Sequence, residues 1–456
     1  MTTTQVYNQA VQFDASFINA DAYDRPQFLP IKYSAFEYVE ITDTLNNPSL
    51  SGYAILDNFN DSINSNPVFS FAKMYTNYFN FRVDQIVTSN TSITLDATFV
   101  LNDIYTLPQD EIANKLCIQF DDIFFGTLEN KTINDIAQVA RYKNGLTSDI
   151  IKNILEDYNQ TGISNISDNW IDSTYPVNLQ FDPAISIGQI YKLAYLNNFT
   201  SNTGKLGDSV FNLLRDGSDI FEPSTPTYTL EPINKKFLDL YSKLRGQSVT
   251  DLSDTVIEGI IESGAQPEDS RTGIIRGYSE ITELQIRQPD PITVRDVYRN
   301  VVIESVNESG TALVDVLPIG ETIADFYRLF CNNPNYRLDL PFTDEILEAS
   351  SLGINAIKRT AAYPELEPGL TQAKLYNTIL LNSKMITFKI KGQLYRKPGY
   401  FVYFQPRRQT SSSLNTVDEH YNSLVGFWYI VQVKHIFEGN AYDNVITCVN
   451  PFIRNN

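Results

Sequence analysis

The sequence predicts an α+β chain, predominantly β, built as two antiparallel β modules with helical insertions. Three observations predict it. Apolar and polar residues alternate strictly from Phe79 to Leu101, a helical stripe takes over after residue 130, and alternation returns in the aromatic-rich stretch 379–456. Aromatic residues make up 12% of the chain, which favours pleated surfaces over helices.

Residues 1–28 read as an N-terminal arm, with single aromatics (Tyr7, Phe13, Phe17, Tyr23) and no sustained period. Such an arm is expected to be disordered or to lie on a neighbouring subunit. Residues 29–126 read as a first β module. Phe79, Phe81, Val83, Gln85 and Val87 share one strand face; after a turn at 89–92, Ile93, Leu95, Ala97, Phe99 and Leu101 resume the period. Residues 116–120 add a strand. Residues 127–268 read as a mainly helical insertion. Ile133, Ile136, Ala137 and Ala140 form a stripe stopped by Gly145, and Ser186 opens a helix carrying Ile187, Ile190 and Tyr191. Asn234 and the stretch 256–261 mark two more helices. Residues 269–320 start a second β module, with 300–306 and 311–316 facing each other across a turn at 307–310. A mixed helical insertion, including a helix near 321–331, fills 321–378, and 379–456 completes the module.

In that last stretch, Met385 to Lys391 alternates as a half-buried strand and runs into Gly392. A basic turn follows, Arg396-Lys397-Pro398-Gly399, and then an unbroken apolar run from Tyr400 to Phe404 that includes Phe401 and Tyr403. This reads as a hairpin with one strand apolar on both faces. Pro398 and Gly399 are its structural turn: proline fixes φ, and glycine takes the positive φ of a type II turn. Arg396 is expected to tolerate replacement unless the basic pair meets an acidic neighbour. Phe427, Tyr429, Val431, Val433, His435 and Phe437 fall on one strand face, with Trp428, Ile430 and Ile436 on the other; 442–449 supplies the partner strand.

Composition removes several function classes. At 456 residues, with 42% apolar and 20% charged residues, the chain has the make-up of a folded protein of several domains. A net charge of −19 and no sustained basic stripe argue against gripping nucleic acid, since phosphate must be neutralised by Lys and Arg. Cys117, Cys331 and Cys448 are far apart and form no CxxC pair, so neither a disulfide framework nor a zinc site is indicated. No signal peptide or membrane-length apolar run occurs. With two histidines, His420 and His435, and no phosphate loop, GxGxxG turn or GxSxG elbow, no catalytic, cofactor or metal residues are assigned. A glycosidase-type carboxylate pair needs only two acids at a set separation, so the 54 acidic residues leave that route open. Adjacent pairs such as Asp121-Asp122 read as solvated strand ends.

The C-terminal block resembles the tail hub proteins of contractile-tailed phages, the T-even-type myovirus hub family. Gly392 to Gly399, with its closing Pro398-Gly399, is similar to that family's strand-turn running from a glycine to a Pro-Gly pair. Gly426 to Phe437 is similar to its Gly-x-Trp-x-Val-x-x-Val-x-His-x-Phe strand, closed by Tyr442 to Thr447. Ser51 to Asp57 resembles part of the first barrel. The resemblance implies two tail-tube-like antiparallel β barrels per chain and a homotrimer forming a pseudo-sixfold ring. It implies a non-enzymatic baseplate hub of the virion, assembled in the host cytoplasm without membrane insertion. Its expected partners are a central spike protein, a tail tube or tube-initiator protein, baseplate wedge proteins, and DNA in transit. On this view Phe401, Tyr403, Trp428 and His435 serve the barrel or its interface, while Asp84, Asp96 and Asp315 face the lumen and repel phosphate. Three other readings stand beside it: another tail tube or neck ring component, a tail-associated peptidoglycan hydrolase, and a generic cytosolic binding module.

Overall fold

A computed structural model describes residues 11–19, 27–45, 47–59, 63, 66, 77–88, 91–108 and 113–122, most of 126–200, then 209–216, 227–232, 274–277, 281–287, 301–306, 312–317 and 357–361, and finally 384–394, 396–407, 424–439 and 441–450. Seven strands come first: β1 (Val11–Asn19), β2 (Gln27–Ile31), β3 (Phe36–Thr44), β4 (Asn47–Phe59), β5 (Asn77–Thr88), β6 (Thr91–Pro108) and β7 (Ala113–Asp122). A mixed unit follows, with helices α1 (Ile136–Lys143), α2 (Thr147–Asp157) and α3 (Ile187–Leu196). Its strands are β8 (Asn144–Leu146), β9 (Asn165–Ile166), β10 (Pro176–Asn178), β11 (Phe199–Thr200), β12 (Ser209–Asp216) and β13 (Thr227–Pro232). The remaining strands are β14 (Ile274–Gly277), β15 (Ile281–Arg287), β16 (Val301–Val306), β17 (Ala312–Leu317), β18 (Ile357–Ala361), β19 (Lys384–Lys391), β20 (Phe401–Arg407), β21 (Gly426–Glu438) and β22 (Ala441–Asn450).

The chain is predominantly antiparallel β. One thirteen-stranded sheet runs β15-β19-β22-β21-β3-β4-β7-β6-β5-β1-β2, with β20 paired to β21 and β14 parallel to β20. Among the described pairings this path stays open between β15 and β2. The β5–β6 hairpin has the register that the alternation predicts, with Phe79 opposite Phe99 and Val83 opposite Leu95. Its inward residues Phe79, Phe81, Phe99 and Leu101 form a core with Val39, Leu56, Ile118 and Phe120. Five tilted rings surround Phe79, the nearest being Phe120 at 5.1 Å between centroids.

Four expectations need correction. The arm is not separate, because β1 pairs with β5 and with β2 and sends Ala15 and Phe17 into the first core. The insertion at 127–268 is mixed, with three helices sharing its described residues with six short strands. Strands β16 and β17 do pair, yet with β18 they form a separate three-stranded sheet. The strands of the second module that join the main sheet before β19 are β14 and β15. Finally, β19 and β20 are no hairpin: β19 lies between β15 and β22, and β20 between β14 and β21. The segment between these separated strands sends Leu394 into the first core, while Phe388 and Phe404 of the strands themselves meet at 5.9 Å in a second core. The helices expected at Asn234, 256–261 and 321–331, and His420, lie outside the described residues.

The mixed unit has its own core, in which Ile150, Ile154, Ile187 and Tyr191 pack with Tyr142 and Tyr228. Ser186 caps α3, its Oγ accepting the Gln189 N–H at 3.2 Å. The Tyr195 hydroxyl donates to the Leu45 carbonyl at 3.3 Å and so ties this unit to the main sheet.

Candidate functional site at the junction of two cores

Strand β21 is where the two halves of the sheet meet. Residues 426–429 pair with β20 and residues 432–438 pair with β3, along one edge of the same strand. Between them Val431 is an extra residue, a bulge against β22. Its carbonyl is not left unpaired, because Leu45 N–H donates to it at 2.9 Å. The bulge also shifts the side-chain alternation by one. Trp428 and Ile430 therefore share a face with Val433, His435 and Phe437, which corrects the expectation that Trp428 lies opposite them. Trp428, Ile430 and Val433 enter the second core, while Phe437 enters the first, 5.4 Å from Phe81. His435 sits between the two.

At that position the chain builds a polar knot. Gly392 N–H donates to the Tyr442 carbonyl at 2.8 Å. A Cβ on Gly392 would strike the Tyr442 ring, so only glycine admits this approach. The Asn444 Oδ1 accepts two donors, Gln393 N–H at 2.7 Å and Arg396 Nη1 at 3.0 Å. That fixes the amide: Nδ2 must point at His435 Nδ1, 3.1 Å away. The Tyr442 hydroxyl donates to the same nitrogen at 2.8 Å. His435 Nδ1 is thus an acceptor, and the imidazole is neutral with its proton on Nε2. Burial first, then the charges of Arg396 and Lys397, hold its pKa down at about 3, against an ordinary 6.5.

Arg396 corrects a further expectation. Its residue is 7% exposed, and Nη1 also donates to the Lys391 carbonyl at 2.6 Å, so it is a packed strut and not a dispensable surface charge. Beyond it, Gly399 takes φ of 86° inside the turn with buried Pro398, and donates its N–H to the Ile430 carbonyl at 2.9 Å.

The expected interface residues divide. Trp428 is 0% exposed, with Nε1 donating to the Leu424 carbonyl at 2.8 Å; Tyr403 and His435 are likewise covered by their own chain. Only Phe401 keeps surface, tilted on Tyr429 at 5.2 Å. Strand β20 is apolar on both faces because Val402 and Phe404 fill the second core, while Tyr403 stacks edge-on to Phe427 on the other side. Asp84 is half-exposed and pairs with Arg82 at 3.3 Å, and Asp96 stands opposite Arg82 in register. Asp315 stands opposite Ile303 in the separate three-stranded sheet. The structure thus brings Asp84 and Asp96 together but not Asp315.

A second polar tie crosses the same seam. Lys434 Nζ donates to Glu40 Oε1 at 2.8 Å, joining β21 to β3, and Tyr38 Oη donates to Glu40 Oε2 at 2.8 Å. No cluster of His, Cys, Asp and Glu suited to a metal occurs among the described residues. Asp121, of the adjacent acidic pair, accepts from the Asn102 amide. No helix among the described residues is long and apolar enough to cross a membrane.

No family model and no curated sequence matches the chain. Solved structures similar to it include a tail protein from Neisseria meningitidis MC58, with 9% identity, a TM-score of 0.49, and 96% of this chain and 97% of that one covered. Another is the prophage MuSo2 43 kDa tail protein from Shewanella oneidensis, with 9% identity, a TM-score of 0.47, and 96% and 98% covered. A third is an Escherichia coli component of the type VI secretion system, itself described as similar to T4 bacteriophage tail proteins. That chain has 8% identity and a TM-score of 0.41, with 91% and 74% covered.

Proposed function

We propose that the chain is a structural subunit of a phage-type tail baseplate hub, with no catalytic role. The observation that carries this reading is the knot itself. Gly392, Pro398, Gly399, Trp428, His435 and Phe437, on which the sequence resemblance rests, all have structural work at one junction and none is left for chemistry. In this reading the two cores belong to two tail-tube-like barrels, and three copies form a pseudo-sixfold ring. The ring joins the tail tube, or a tube initiator, to a central spike and meets the wedge proteins around its rim. It resides in the virion and passes DNA. Asp84, Asp96 and Asp315 are proposed to face the lumen, where their charge repels phosphate.

Mass measurement of the purified chain, followed by negative-stain imaging, tests the reading. A trimer seen as a ring with six lobes is the expected result. A monomer at every concentration, or a zymogram clearing peptidoglycan, overturns it. A hexamer points instead to a tube or neck ring component.

A further inference from the structure

The main sheet has a second face, turned away from both cores. On β7, Leu116, Ile118 and Phe120 point into the first core, so Lys115, Cys117 and Gln119 point out. By register, Leu107, Tyr105 and Asp103 of β6 lie on the same outer face, and Asp57 of β4 stands opposite Lys115. Tyr105 and Leu107, each 40% exposed, are the large apolar side chains that the described residues leave in solvent. Asp103 is exposed beside Tyr105, and Asp57 is exposed one strand further on, across Lys115, which is ion-paired with Glu37, so this end is acidic on balance.

The other end of this outer face is basic on balance, with Lys389, Lys391 and Arg287 set against Asp443 and exposed Glu283. Ile386, Phe388 and Ile390 of β19 enter the second core, so Lys389 and Lys391 point out, the former reaching Asp443 at 3.3 Å. Arg287 of the end strand β15 stands opposite Met385 and is exposed. Half-buried Val445 and Ile436 lie on this face beside Lys389 and Asp443. One face of one sheet therefore carries an apolar spot with acidic neighbours at one end and basic residues with apolar neighbours at the other.

We infer that this face is a head-to-tail interface between copies of the chain, the Asp57–Asp103 end of one seating on the Arg287–Lys389 end of the next. Its two contact surfaces differ, so it is a heterologous contact, which generates a closed ring when the rotation closes. Burying Tyr105 and Leu107 supplies the apolar centre, and the charged rims set polarity and exclude the reversed docking. The inference rests on the ring reading proposed above and names the surface that makes the ring.

Charge reversal tests it. Asp57→Lys with Asp103→Lys should weaken assembly at least tenfold while leaving the circular dichroism spectrum and melt of the single chain unchanged. Arg287→Glu with Lys389→Glu should weaken assembly as much, with a small loss of single-chain stability from the broken Lys389–Asp443 pair, and all four reversals in one chain should restore assembly. Tyr105→Ser with Leu107→Ser should also dissociate the oligomer. Should a reversal disturb folding, the parent supplies the second measurement: its assembly should weaken as salt rises from low to high ionic strength. Parental assembly that is indifferent to salt, reversed variants that assemble normally, or a folded four-fold variant that stays apart each overturn the interface. A parent that is monomeric removes the ring reading as well, whereas rings untouched by the reversals remove this inference alone. Rings that persist while binding of a purified spike or tube protein is lost would give the face to that protein and overturn the self-interface.

Discussion

His435 shows how much one side chain depends on what surrounds it. Its folded pKa of about 3 lies below its ordinary 6.5, so the unfolded chain binds the extra proton between those values. The contribution is complete above pH 6.5 and is lost as pH falls toward 3, with a slope of up to about 1.4 kcal/mol per pH unit. Urea titrations at pH 6.5, 5.5 and 4.5 should show that slope in the parent and a shallower one in His435→Gln; equal slopes would assign the acid sensitivity elsewhere. Trp428 is separable into two parts. Trp428→Ala removes a ring from the second core and should cost about 3–5 kcal/mol. Trp428→Phe keeps most of the volume, loses only the bond to the Leu424 carbonyl, and should cost about 1 kcal/mol. An alanine variant that melts like the parent would contradict the core assignment. Gly392→Ala places a methyl against the Tyr442 ring and should cost about 1–3 kcal/mol by the same assay. Pro398, Gly399 and Trp428 were legible in the sequence because their residue types have few uses. The polar knot was not. Asn444 and Arg396 look like surface residues until a chain separation of 48 residues closes and brings them together.

At the level of single strands, period and turn residues revealed what was local. The β5–β6 hairpin and the β21–β22 pair follow from alternation and short turns, and both pairings are present, the second with a register shift at Val431. Strand β1 carries the same signal, Val11, Phe13, Ala15 and Phe17 alternating with polar residues, but small Ala15 makes it faint. The bulge at Val431 has no side-chain signature, so the face of every residue after it was read inverted. Pairing partners were hidden too: nothing in residues 392–400 says whether they turn back or cross over. The β3–β21 seam can be measured directly. A double-mutant cycle with Glu40→Gln and Lys434→Met should give a coupling of about 1 kcal/mol, modest because Lys434 remains part-exposed. A coupling near zero would show that the pair is only incidental to the seam.

For the whole molecule, the seam means that the two halves of the sheet are one cooperative body. Phe437 of the last module packs on Phe81 of the first and stacks on Tyr442 at 4.4 Å. Phe437→Ala should cost about 3–5 kcal/mol, and the main sheet should still melt in a single transition. Two resolved transitions for β1–β7 and β19–β22 in hydrogen exchange would show that the halves are independent after all. Composition and period located both β regions; the way they join depends on contacts between residues up to 394 positions apart, beyond the reach of local pattern. Leu45 holds three parts at once, its N–H bonded to Val431 and its carbonyl to Tyr195. That arrangement has a consequence during synthesis. While the chain is on the ribosome, β3 has an open edge, and the strand that covers it is among the last to emerge. At about 5–20 residues per second, the nascent first half waits on the order of tens of seconds for its partner. A prematurely terminated product keeps that edge bare, a row of backbone N–H and C=O groups open to pairing with a strand of another chain.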